Sequence, residues 1–154
     1  MALADLLSTD CVQLDAPAAT KEELIRSLVE RLAQAGHVRN EAPVVRALLD
    51  REAVMSTGVG GGIALPHAQS PAANGFAIAL ARPREPIDFA ALDGHPVSLV
   101  FLIVGPQDRS GLMRVLSQLS GLLHSGELQK RLMKAKSAED ALRAIRAEEA
   151  KHKP

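Results

Sequence analysis

The stretch from residue 56 to residue 67 constrains this chain most, because two hydroxyl residues and four glycines precede a Pro–His pair. Glycine adopts positive φ without strain, so a glycine run lets backbone N–H groups converge and form a concave anion site. Pro66 fixes its own φ and disfavours helical geometry at Leu65, so the backbone that carries His67 is stiff. The residues alone predict a nucleophilic or acid–base histidine beside an anion site. The alternative is a glycine-rich hairpin with an ordinary surface histidine.

The residues around this loop resemble the signature of a known family. The segments that carry the resemblance are Arg51-Glu52 and residues 56–60, 62–67, 86–89 and 93–97. Together they are similar to the phosphorylation-site pattern of the mannitol/fructose/nitrogen-type (type-2) enzyme IIA domains of the bacterial phosphotransferase system. The resemblance covers most of the chain. It implies that His67 accepts a phosphoryl group from a histidine phosphocarrier protein and that Arg51 lies close to it.

The chemistry that follows from this resemblance is phosphoryl transfer through His67. A neutral imidazole is a competent nucleophile near pH 7, and phosphohistidine is labile enough to pass the group onward. The transfer depends on donors aimed at the phosphoryl oxygens, and we assign that catalytic role to Arg51. Ser56, Thr57 and Gly58 are assigned to phosphate binding. The alternative for Arg51 is a solvated charge on a helix.

One position departs from the family pattern, in which a second histidine usually begins the helix after the central apolar strand. This chain has Leu112 there, or Gly111 if one residue has been deleted. Neither side chain donates a hydrogen bond, so we expect slow phosphoryl transfer, which suits signalling better than sugar flux. The nitrogen-regulatory type is therefore expected. The alternatives are a fructose/mannitol-type sugar-transport enzyme IIA and a degenerate regulatory binding module with weak or no phosphotransfer.

Composition and spacing argue against several other classes of function. The 18 basic and 18 acidic residues balance, which gives no electrostatic case for a nucleic-acid partner. The glycine run lacks the Lys-Ser/Thr of a nucleotide P-loop, and neither the histidines nor Cys11 have metal-ligand spacing. The longest apolar run, residues 97–104, is shorter than the roughly 20 residues that span a bilayer, and the first residues do not resemble a signal peptide.

From these observations we expect a cytoplasmic protein with no cofactor, no metal and no membrane insertion. Its expected partners are the histidine phosphocarrier protein and either regulatory target proteins or a sugar permease component.

Apolar spacing predicts one α/β domain over residues 1–150 and a frayed tail over residues 151–154. Helices are predicted at 20–36, 40–55, 112–123, 127–136 and 137–145, and strands at 62–65, 76–81 and 97–104, with a short edge strand near Val12 and Leu14. Strands in the middle with helices before and after indicate a three-layer α/β/α sandwich. The family resemblance implies that its small sheet is mixed.

Overall fold

The structure is a computed structural model that describes residues 2–152, and this part of the chain contains five helices and a six-stranded sheet. The helices are α1 Lys21–Gln34, α2 Glu41–Val54, α3 Arg109–Leu123, α4 Gly126–Lys134 and α5 Ala138–Lys151. The strands are β1 Val12–Ala16, β2 Gly58–Gly60, β3 Ile63–Ala64, β4 His67–Gln69, β5 Ala77–Pro83 and β6 Leu99–Gly105. Two short 3-10 turns, Leu3–Leu6 and Thr9–Cys11, precede β1.

The sheet is mixed, and its central strand β6 is buried along its whole length. On one side β6 pairs antiparallel with β5, which in turn pairs parallel with the edge strand β1. On its other side β6 pairs parallel with two short strands in succession, β3 at its start and β4 at its end. The register sets His67 opposite Ile103. His67 therefore lies near the end of β6, close to where the chain turns into α3.

Helices cover both faces of this sheet, which confirms the three-layer α/β/α sandwich. Helices α1 and α2 contact each other, with α1 against β5 and α2 against β4. Helices α3, α4 and α5 form a second group, in which α5 also contacts β1. Burial of leucine, isoleucine and valine side chains between these layers removes apolar surface from water and is the main stabilising contribution.

The helix termini follow the capping signals in the sequence. Thr20 accepts a hydrogen bond from the Glu23 N–H at 3.2 Å, and Ser137 accepts one from the Asp140 N–H at 3.1 Å. Asn40 occupies the N-cap position of α2, but its side chain makes no capping hydrogen bond there.

Several details of the prediction differ from the structure. Helix α5 continues to Lys151, past the predicted end at residue 145, and α3 begins at Arg109 rather than at residue 112. Strands β2 and β4 were not predicted, since three residues each are too few to show an alternating pattern. The predicted frayed tail begins too early, because Lys151 still belongs to α5, while residues 153–154 lie outside the described residues. Within residues 2–152 every helix is too short or too polar to cross a bilayer.

Candidate active site

A pocket of about 410 Å³ opens where α2, β4 and the first turn of α3 meet. Among the residues that the structure describes, it is lined by one histidine, His67, and by two arginines, Arg51 and Arg109. Leu112 and Met113 form its apolar wall. Two larger cavities lie elsewhere, one beside β1 and one between α4 and α5, and neither is lined by a histidine.

The imidazole of His67 is held in one tautomer by the backbone. Its Nδ1 lies 2.8 Å from the carbonyl oxygen of Leu65, and because a carbonyl can only accept, Nδ1 carries the proton. Nε2 therefore keeps the lone pair. Burial of the ring lowers the pKa of His67 below its usual value, and the positive charge of Arg51 lowers it further, against the opposing effect of the Leu65 hydrogen bond. The arrangement favours a neutral imidazole with a nucleophilic Nε2 at pH 7.

Arg51 lies in the last turn of α2 and is anchored locally. Its guanidinium donates a 2.8 Å hydrogen bond to the backbone carbonyl of Met55, which leaves its other N–H groups free for the pocket. The structure thus brings the two predicted catalytic residues, His67 and Arg51, to one pocket.

The neighbouring Glu52 is buried and holds the following loop. Its carboxylate accepts hydrogen bonds from the backbone N–H of Thr57 at 3.1 Å and from the Thr57 hydroxyl, and it pairs with Lys21 at 3.3 Å. Arg51-Glu52 is one of the segments that carry the family resemblance, but we did not predict a role for Glu52.

The three residues predicted to bind phosphate are engaged within the protein. Both donors of Thr57 go to the Glu52 carboxylate. The Ser56 hydroxyl donates to the carbonyl of Phe89 and accepts a 3.0 Å bond from the Gly58 N–H. None of the three lines the pocket around His67. Their role in phosphate binding stays a prediction, and it would require these hydrogen bonds to rearrange.

The glycine run does form a concave turn, but its ligand is a side chain of the protein itself. Gly60, Gly61 and Gly62 have φ of +94°, +65° and +80°. The Gly61 N–H donates to the carboxylate of Asp93 at 3.0 Å, and the same carboxylate accepts from the His95 N–H at 3.0 Å. Both hydrogen bonds lower the pKa of Asp93, and the bond from the His95 N–H has the larger effect. The anion in the nest is therefore Asp93.

Comparison with known proteins shows the family to which the chain belongs. The model of the family described as "Phosphoenolpyruvate-dependent sugar phosphotransferase system, EIIA 2" matches residues 5–148, which is most of the chain. The chain is a type-2 enzyme IIA domain. The family resemblance inferred from the residues is thereby confirmed, and enzyme IIA domains are phosphotransfer components.

Relatives of this enzyme IIA domain include both sugar-specific and regulatory proteins. It is 37% identical over 83% of its length to the fructose-specific EIIA component of Haloferax volcanii, covering 84% of that protein. It is 36% identical over 92% of its length to the fructose-specific EIIABC component of Bacillus subtilis, of which it spans only 22%. The crystal structure of the nitrogen regulatory protein IIA-Ntr from Neisseria meningitidis matches with a TM-score of 0.84 at 31% identity, over 92% of this chain and 97% of that one.

The structure also shows which residue of α3 lies at the candidate active site of this enzyme IIA domain. Leu112 lines the pocket with His67. Gly111 packs instead against the ring of Phe76, and a Cβ atom added there would lie 2.8 Å from that ring and closer still to the Asp108 carboxylate. Of the two positions considered for the missing histidine, Leu112 therefore lies beside His67.

Arg109 is the residue of this pocket that sequence reasoning missed. It is the first residue of α3, directly after the N-cap Asp108. Nothing in its local sequence distinguishes it from other exposed helix arginines, since its relation to His67 depends on the pairing of β4 with β6.

Proposed function

We propose that this enzyme IIA domain, over residues 1–150, carries a phosphoryl group on Nε2 of His67 and receives it from a histidine phosphocarrier protein. The observation that supports this most is the 2.8 Å contact between Nδ1 of His67 and the Leu65 carbonyl, which leaves Nε2 as the nucleophilic nitrogen. The lowered pKa of His67 keeps that nitrogen unprotonated at neutral pH. Arg51 lines the same pocket and supplies positive charge for the phosphoryl oxygens.

Phosphoryl transfer from the carrier to His67 conserves atoms and charge without an added acid or base. Nε2 of His67 attacks the phosphorus of the carrier's phosphohistidine, so the Nε2–P bond forms as the carrier's P–N bond breaks. The electron pair of the broken bond returns to the carrier imidazole, which leaves neutral. The His67 ring keeps its Nδ1 proton and becomes formally positive. The hydrogen bond from Nδ1 to the Leu65 carbonyl is then charge-assisted and stronger, which stabilises the phosphorylated state.

Within the family we propose the nitrogen-regulatory type, with regulatory target proteins as downstream partners in the cytoplasm. The supporting observation is the buried apolar side chain of Leu112 beside His67, which removes a donor and suits slow signalling. The second candidate is a fructose/mannitol-type sugar-transport component, favoured by the 36% and 37% identities to fructose-specific relatives. Domains of this family interact with phosphocarrier proteins and with enzyme IIB partners.

The test is phosphorylation by phosphoenolpyruvate with the upstream carrier proteins, followed by measurement of acid-labile phosphate. We expect the natural protein to be labelled and His67→Gln to take up no phosphate while keeping the natural circular dichroism spectrum and melting temperature. His124→Gln is the matched control, since His124 is exposed at the end of α3 and does not line the pocket. Phosphate retained by His67→Gln would contradict the assignment.

A second measurement separates the candidate functions. Rapid onward transfer to a fructose- or mannitol-type enzyme IIB would favour the sugar-transport component. A labelled protein that does not pass phosphate to enzyme IIB supports the regulatory type. If the natural protein never takes up phosphate, the result favours the third candidate, a regulatory binding module without phosphotransfer.

A further inference from the structure

The pocket around His67 is lined by a second cation, Arg109, which has no part in the transfer proposed above. Arg51 enters from the end of α2, and Arg109 enters from the start of α3. Arg51 has already committed one N–H group to the Met55 carbonyl. Arg109 makes no side-chain hydrogen bond or ion pair with any residue from 2 to 152. All five of its N–H donors are therefore available to a ligand in the pocket.

A phosphoryl group on His67 needs more charged donors than Arg51 alone supplies. It has three peripheral oxygens and a charge between about −1.5 and −2 at pH 7 by analogy with phosphorylated side chains. Leu112, the residue of α3 buried beside His67, has no donor to offer. The N-terminus of α3 is partly neutralised as well, because the Asp108 carboxylate already accepts the Gly111 N–H at 3.0 Å. Arg109 is the other charged donor at this pocket.

We propose that Arg109 is a second phosphoryl-binding residue, which holds the phosphoryl group on His67 from the α3 side while Arg51 holds it from the α2 side. This inference rests on the proposed function of His67. A planar guanidinium can donate two parallel N–H groups to two phosphoryl oxygens, which an ammonium cannot do. Arg109 thus supplies from the first position of α3 the donor that Leu112 lacks one turn further along the helix.

The proposal predicts effects on both the rate and the equilibrium of transfer. Arg109→Gln is expected to slow phosphorylation by the carrier about ten- to hundredfold, the usual range for a charge-assisted hydrogen bond. It should also shift the equilibrium between phosphorylated carrier and phosphorylated enzyme IIA toward the carrier, because Arg109 binds the phosphoryl group in the product. Arg109→Lys should recover only part of both losses. A merely structural role for Arg109 would not move the equilibrium constant.

Arg114→Gln is the matched control, since Arg114 is exposed on the same helix and does not line the pocket. It should keep the natural rate and equilibrium. Melting temperatures of both variants should equal that of the natural protein, because Arg109 and Arg114 are both exposed. Values for Arg109→Gln within twofold of those for Arg114→Gln would overturn the proposal.

A second arm separates this inference from the proposed function. Phosphoramidate, a small phosphoryl donor, is added to the purified protein without carriers, and phosphohistidine is followed by ³¹P NMR. If carriers fail to label the natural protein, the proposed function falls, and slower labelling of His67 by phosphoramidate in Arg109→Gln still supports the role of Arg109. Equal labelling of Arg109→Gln and the natural protein overturns it. If neither the carriers nor phosphoramidate label His67 in the natural protein, both proposals are overturned.

Discussion

The glycine-rich loop, residues 56–62, and the arginine-lined pocket around His67 are two candidate anion sites that differ in which donors remain free. In the loop, Thr57 donates to Glu52 and Gly61 donates to Asp93, so the donors are satisfied within the fold. In the pocket, Arg51 keeps most of its N–H groups and shares the lining with His67, the proposed nucleophile. The loop donors form hydrogen bonds to carboxylates of the protein when it folds, whereas most N–H groups of Arg51, at the end of α2, remain available to a ligand.

The largest effect in this comparison is expected from Arg51→Lys. An ammonium keeps the charge but loses the planar fork and the simultaneous anchor on the Met55 carbonyl. Loss of one charge-assisted hydrogen bond, about 1.5–3 kcal/mol, slows phosphorylation of His67 about ten- to hundredfold. Stopped-quench labelling at several carrier concentrations measures it, with Arg46→Lys on the same helix as control. A rate within twofold of that of the natural protein would show that the Arg51 guanidinium does not stabilise the transition state.

The next effect is an increase in rate from Leu112→His. The new imidazole would enter the pocket beside His67 and donate to the phosphoryl oxygens, and we expect phosphorylation to speed up about tenfold, the value of a single such bond. Leu112 is 5% exposed, so some loss of stability is expected and the melting temperature is recorded with the rate. Met133→His, on an exposed site of α4, controls for an added surface imidazole. A variant that folds and keeps the natural rate would refute the idea that Leu112 limits transfer.

Most of the fold could be predicted because its signals are local. The N-cap residues Thr20 and Ser137 specify helix starts within four residues of sequence, and in the structure both side chains accept the capping hydrogen bond. The sequence could not predict that the glycine loop binds the Asp93 carboxylate, because Asp93 lies 32 residues from Gly61 along the chain. Arg109 was missed for the same reason. Its position near His67 is created by the long-range pairing of β4 and β6.

The protonation of the His67 imidazole as a function of pH tests whether the ring is buried beside a positive charge. Burial, and then the charge of Arg51, lower its pKa below 6.5, so the nucleophilic neutral form should persist as the pH falls through 6.5. A histidine of ordinary pKa loses about two thirds of its neutral form between pH 7 and 6, and the loss should be smaller for His67 because its pKa is lowered. Because the folded pKa is lowered, the associated stability is present above about pH 6.5 and is lost as the pH falls through the folded pKa.

Imidazole ¹⁵N NMR of His67 from about pH 8 to pH 5 measures this directly, and the unfolded chain in denaturant gives the reference. A titration midpoint at or above that of the unfolded chain would contradict the buried, neutral imidazole. Arg51→Gln should raise the midpoint, since it removes the positive charge that opposes protonation.

The smallest effect on the rate of phosphoryl transfer is expected from Asp93→Ala. This variant tests whether the glycine-rich loop takes part in the transfer. This change removes the acceptor for the N–H groups of Gly61 and His95. Hydrogen exchange at both amides should therefore accelerate, while the rate of His67 phosphorylation should stay within about twofold of the natural rate, since neither Asp93 nor the nest lines the pocket. Asp88→Ala, which removes a similar exposed acceptor from the Ala90 N–H in the same connection, is the control. If Asp93→Ala changed transfer tenfold in either direction while Asp88→Ala did not, the emptied nest would be acting on the phosphoryl group. The original assignment of the loop to phosphate binding would then be favoured over the arginine-lined pocket acting alone.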